Sequence, residues 1–233
     1  MSNMRRTPPM PQMAWDESSI VAKAEQFVKD EMQGQDASHD FAHVERVRRL
    51  ALELAEEEGV EAKLVVELGA LLHDVRDYKY SGDDRAGPAC AREFLQARQC
   101  PEDIVERVIA VIAGIGFKHT LGNEPVAMTP ELACVQDADR LDAIGAIGIA
   151  RCFTFGGAKG RPMYEEGVEA RTAISAEEYA DKRQGTTVNH FYEKLLHLAD
   201  RMNTEAGRRR ARGRHAFMEA FLNQLQAEIA GQL

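Results

Sequence analysis

Residues 62–73 read AKLVVELGALLH, an almost unbroken apolar run that ends on the dipeptide His73-Asp74. A helix apolar on all sides has no face to give to water, so it must be packed around by other helices. The rest of the chain supplies them. Ile20, Val21, Ala24, Phe27, Val28 and Met32 recur at helical spacing, and so do Val44, Val47, Leu50, Ala51 and Leu54. The second stripe starts at Ser38 or Asp40 and stops at Gly59. Further helices are expected near 88–98, at 102–114, and from the Thr129-Pro130 pair, a cap followed by a first-turn proline. The glycine-punctuated stretch IGAIGIARCFTF continues from that helix. Ser175 with Glu178 forms a capping box, and two long helices, near 186–203 and 204–231, follow. Segments 75–87, 115–129 and 156–174 read as loops. No stretch alternates as a strand does, so the fold class is all-α.

Composition narrows the function. With 44% hydrophobic and 29% charged residues, the 233-residue chain has an ordinary globular balance. Residues 1–14 are expected to be a flexible tail without an apolar signal core, and 15–233 a single helical domain. Its metal-bearing core is expected at about 38–145 and its C-terminal helices at 175–231. A net charge of −9 argues against a nucleic-acid polymer as partner, and no run is long enough for a membrane span. Cys90, Cys100, Cys134 and Cys152 form no CxxC pair, which fits a reducing, cytoplasmic setting.

Seven histidines are present, and two of them begin an His-Asp dipeptide, at 39–40 and 73–74. The dipeptide alone is a weak signal, and a helix end reaching water is its bland reading. The second copy gains weight because a charged pair after so apolar a helix is costly unless it is paired or metal-bound. His43 lies one helix earlier, with Arg46 a turn on, and Asp139 sits in QDADRLDA. His43, His73, Asp74 and Asp139 together offer two imidazoles and two carboxylates. Such a set suits Mn²⁺, Fe²⁺, Co²⁺, Ni²⁺, Zn²⁺ or Mg²⁺ and leaves octahedral positions open.

The order His43, His73-Asp74, Asp139, with the blocks SHDFAHVERV, ALLHDVRDYKY, QDADRLDAIGAIGIAR, FGGAKGRPMY and NHFYEKLLHLADRMNTEAGRRRA, resembles the HD superfamily of metal-dependent phosphohydrolases. The likeness is to its small stand-alone members and runs from about residue 20 to 228. It implies a compact helical bundle with one divalent metal ion between the central helices, held by His43, His73, Asp74 and Asp139. It implies a small phosphorylated substrate, a nucleotide, cleaved either as a phosphomonoester or with release of pyrophosphate from a triphosphate. It is also compatible with a homodimer.

Negative charge develops on phosphate oxygens in such a reaction, so nearby cations should stabilise it. The candidates are Arg46, Lys79, Lys118, Arg151 and Arg161, each with a solvated surface charge as its alternative. His119 is a substrate contact or a further ligand. Asp74 and Asp77 are the candidate catalytic carboxylates; Asp77 orients water or exchanges a proton, or else caps a loop. Hydrolases of guanosine polyphosphates in this superfamily carry Glu-Asp in the corresponding turn, where this chain has Arg76-Asp77, so that branch fits less well. Asp40 is expected to cap its helix, and Asp142 either to hydrogen-bond a ligand histidine or to lie on the surface. Arg208, Arg209, Arg210, Arg212 and Arg214 spread around a helix and read as a solvated face with acidic partners such as Glu205 and Glu219. A nucleotide- or metal-sensing module without catalysis is the reading from another class.

Overall fold

The structure, a computed structural model, describes residues 15–34, 38, 40–76, 83, 85–115, 127–171 and 185–232. Among these the chain is all-α, with no strand. The helices are α1 (Glu17–Glu31), α2 (Phe41–Glu57), α3 (Lys63–Leu72), α4 (Ala86–Gln96), α5 (Glu102–Gly114), α6 (Pro130–Asp142), α7 (Gly145–Ala158), α8 (Thr187–Glu193) and α9 (Glu205–Ile229). The segment 1–14, His39 and the Ser175–Glu178 capping box lie outside the described residues. No single described helix is long and apolar enough to cross a membrane.

Local chemistry starts these helices. Asp40 accepts from the backbone N–H of His43 at 3.1 Å and so caps α2. Thr129 accepts from the N–H of Leu132 at 3.2 Å, with Pro130 as the first residue of α6. The apolar helix α3 occupies the centre, touching α1, α2, α5 and α6. Val65, Val66, Leu68, Ala70, Leu71 and Leu72 are all buried there.

Helix α6 is buried although half its residues are polar. From Glu131 to Asp142 every residue is buried except Asp139. Its polar groups are satisfied one by one, as burial requires. Gln136 donates to the carbonyl of Gly114 at 3.1 Å and accepts from Asn203 Nδ2 at 2.9 Å. The Asp137 carboxylate accepts from the backbone N–H groups of Asn203 (2.9 Å) and Thr204 (2.7 Å) and from the Thr204 hydroxyl (2.8 Å). It thereby meets the positive N-terminus of α9.

This contact corrects one sequence expectation. A single long helix was expected near 186–203. The structure ends α8 at Glu193, where Lys194 adopts φ −142° and ψ −59°, and continues in 3₁₀ turns at Leu195–His197 and Ala199–Arg201. The apolar spacing survives the break, because Leu195, Leu198 and Met202 are all buried. The backbone around 201–204 is held by α6 instead of by its own helix. Arg140 donates to the carbonyl of Arg201, and Asp137 receives the next two donors. The expected loop after 156 begins only at the end of α7, and it is tied down: Thr187 and Val188 donate to the carbonyls of Pro162 and Met163 at 2.9 and 3.1 Å.

Candidate metal centre

Three helices converge on one point. The first turn of α2 carries His43, the C-terminus of α3 carries His73 with Asp74 in the turn beyond, and α6 carries Asp139. Donor atoms of His43, His73 and Asp139 all lie within 4.8 Å of one another. His43 Nε2 is 3.2 Å from Asp74 and 3.6 Å from Asp139. His73 Nε2 is 3.4 Å from Asp74 and 4.0 Å from Asp139. The two rings meet edge to face with centroids 5.3 Å apart.

The outer ring nitrogens fix which atoms face inward. His73 Nδ1 lies 2.8 Å from the carbonyl of Ala70, which can only accept, so Nδ1 donates there and Nε2 is the ring nitrogen left to face the cluster. That Nε2 is buried and makes no hydrogen bond among the described residues. His43 Nδ1 lies 2.8 Å from Asp142 Oδ2, which orders its ring in the same sense. A buried ring nitrogen without a hydrogen bond, beside a second imidazole and two carboxylates, is a donor set that fits a divalent ion.

Charge is balanced within the cluster. Burial presses the His43 imidazolium down, but its hydrogen bonds to Asp142 and Asp74 outweigh this and raise its pKa. Burial pushes the Asp139 carboxyl up, and the imidazoles of His73 and His43 pull it below its ordinary value. Burial also acts against the Asp142 carboxylate, yet His43 and Arg46 hold it well below the usual carboxylate range. The Asp139 side chain is 35% exposed, against 1% for both histidines and 10% for Asp74. Solvent therefore reaches the cluster from the Asp139 side.

Two of the candidate cations are brought to this cluster. Arg46 donates to Asp142 through Nε at 2.7 Å and Nη2 at 3.0 Å. Arg151, from α7, donates to Asp142 at 3.0 Å and to the carbonyl of Ser38 at 2.7 Å. Arg161 lies beyond the C-terminus of α7, the end away from Asp142, where its charge bears on Cys152 and Glu193. Asp77, Lys79, Lys118 and His119 lie outside the described residues.

The arginines of α9 are largely structural. Arg208 pairs with Glu205, Arg209 and Arg210 pair with Glu57 of α2, and Arg214 donates to the carbonyl of Leu141. Glu219 faces His215 instead. The Ser38 carbonyl carried no sequence signal, because a backbone acceptor is independent of residue type.

Comparison with known proteins adds a family. Residues 40–144 match the model of the HD domain. The Bacillus subtilis protein YpgQ is 37% identical over 207 residues, covering 88% of this chain and 91% of that protein. The crystal structure of an HD-superfamily hydrolase from Bacillus thuringiensis superposes with a TM-score of 0.70 at 37% identity, covering 93% of this chain and 100% of that one. The crystal structure of YpgQ in complex with ADP superposes with a TM-score of 0.69 at 34% identity, covering 91% and 96%.

Proposed function

Since the chain belongs to the HD superfamily of hydrolases, we propose that it is a divalent-metal-dependent phosphohydrolase acting on a nucleotide. The observation that carries the reading is the convergence of His43, His73 and Asp139 within 4.8 Å, with Arg46 and Arg151 docked beside them. His43 and His73 offer Nε2, and Asp74 and Asp139 offer carboxylate oxygens. A divalent ion held there supplies Lewis acidity toward water and toward a phosphoryl oxygen.

The protein's own groups do the rest. Arg46 and Arg151 offset negative charge that grows on phosphate oxygens as the bond to the leaving group breaks. In this reading Asp77 orients the attacking water or takes its proton. Lys79, Lys118 and His119 add substrate contacts, whereas Arg161, at the far end of α7, does not take part. A nucleotide is favoured because the similar YpgQ has been crystallised with ADP. The cluster of cations favours a substrate with several phosphates, and so release of pyrophosphate from a nucleoside triphosphate. The four free cysteines, three of them buried, agree with a reducing cytoplasmic setting.

The test is hydrolysis of nucleoside mono-, di- and triphosphates with Mn²⁺, Co²⁺, Ni²⁺ or Mg²⁺, detecting orthophosphate and pyrophosphate separately. Metal-dependent turnover that Asp74→Ala abolishes is the expected result. A folded, metal-loaded protein without turnover on any of these would favour the sensing module.

A further inference from the structure

We propose that Asp142 is the positioning residue that joins the metal cluster to the phosphate-binding cations. The inference rests on the metal-dependent reading above. Asp142 ends α6, one turn beyond Asp139, and is 1% exposed. Its Oδ2 accepts from His43 Nδ1 (2.8 Å), Arg46 Nη2 (3.0 Å) and Arg151 Nη1 (3.0 Å), and its Oδ1 accepts from Arg46 Nε (2.7 Å). One carboxylate thus holds a ligand imidazole and an arginine from α2, and a second arginine from α7.

Each partner gains something different. His43 is fixed in the form that turns its Nε2 toward Asp74 and Asp139. The two guanidiniums, which would repel each other at close range, share one counter-charge and lose their rotational freedom before any substrate arrives. Both keep donors to spare: Arg46 Nη1 and Arg151 Nη2 make no hydrogen bond among the described residues. The Arg46 side chain is 27% exposed and that of Arg151 13%, so neither is sealed from an incoming anion. The chemistry presented is a paired cationic seat for phosphate next to a divalent ion.

The geometry makes a pattern that separates positioning from general support. Asp142→Asn keeps the shape but turns an N–H₂ toward groups that are themselves donors. It should weaken Mn²⁺ binding by about 10- to 100-fold. It should also weaken pyrophosphate binding to the Mn²⁺-loaded protein. Arg46→Met or Arg151→Met should weaken pyrophosphate binding by about tenfold or more and leave Mn²⁺ affinity unchanged, because the Asp142–His43 bond survives. Calorimetric titration with Mn²⁺ alone, then with pyrophosphate, reads both quantities.

Asp142→Asn with both affinities intact overturns the proposal. So do arginine variants that lose Mn²⁺ as strongly as Asp142→Asn does. Should Asp142→Asn not fold, ring ¹⁵N shifts of His43 in the Zn²⁺-loaded wild type decide. A protonated Nδ1 is expected, and a protonated Nε2 overturns the assignment. Wild-type protein that binds no divalent ion would instead remove the metal-dependent reading itself, and the proposal with it.

Discussion

Two glycines of α9 should respond to the same substitution with opposite signs. A Cβ at Gly213 would meet nothing within 4 Å. Gly213→Ala should therefore show the plain helix-propensity gain, about 1 kcal/mol. A Cβ at Gly207 would lie 2.4 Å from Asp137 Oδ2 and 2.7 Å from Thr204 Oγ1. Neither atom can give way cheaply. The Asp137 carboxylate is pinned by Asn203 and Thr204, and the Thr204 hydroxyl caps α9 by accepting from the N–H of Gly207 at 2.9 Å. Displacing even one hydrogen bond to a charged group costs about 1.5–3 kcal/mol, which exceeds the propensity gain. Gly207→Ala should be destabilising by about 0.5–2 kcal/mol net, or a fall in Tm of about 1–8 °C for a domain of this size. Gly213→Ala should raise Tm by about 2–4 °C. Urea denaturation of the metal-free proteins with a shared m-value is the assay. Gly207→Ala as stable as the wild type would refute the claim that Asp137 is locked against the start of α9.

Phe191 is fully buried, with ring centroids of Phe153 and Phe221 at 5.8 and 6.2 Å, so Phe191→Ala should cost about 3–5 kcal/mol in urea unfolding. Gln99 holds φ +57° on the surface after α4, and Gln99→Gly should raise stability by about 0.5–1 kcal/mol, measured by the same unfolding curves. In the metal-free protein the depressed carboxyl of Asp142 contributes stability that is present above pH ~4 and lost as acid protonates it. The raised His43 works the other way, contributing below pH ~6.5 and losing that contribution as pH rises through its folded value. Unfolding midpoints across this range should thus vary less with pH in Asp142→Asn than in the wild type.

The centre of the fold was legible because it is written in local pattern. The apolar helix α3 is the buried helix it reads as, and Asp40 and Thr129 cap the helices they precede. The order and helix faces of His43, His73, Asp74 and Asp139 were enough to group them. What the pattern does not carry is partnership at long range. Arg46 and Arg161 look alike as candidate cations, and only the arrival of Asp142, 96 residues away from Arg46, separates them. The break after Glu193 was hidden for a related reason. Its apolar spacing remains helical, while Asp137 of α6, some 66 residues earlier, takes the backbone donors of Asn203 and Thr204 where the expected helix would have ended. Acidic residues in QDADRLDA likewise look equivalent in sequence. In the structure Asp137 meets the start of α9, Asp139 faces the cluster, and Asp142 gathers the arginines.

The central claim is that His43, His73, Asp74 and Asp139 hold a divalent ion. Anomalous diffraction at the metal edge from crystals grown with Mn²⁺ tests it most directly. A single strong peak within bonding distance of His43 Nε2, His73 Nε2 and Asp139 is the expected result, and Asp139→Ala should lose it. Full Mn²⁺ occupancy at another position, with no peak between these side chains, would contradict the account.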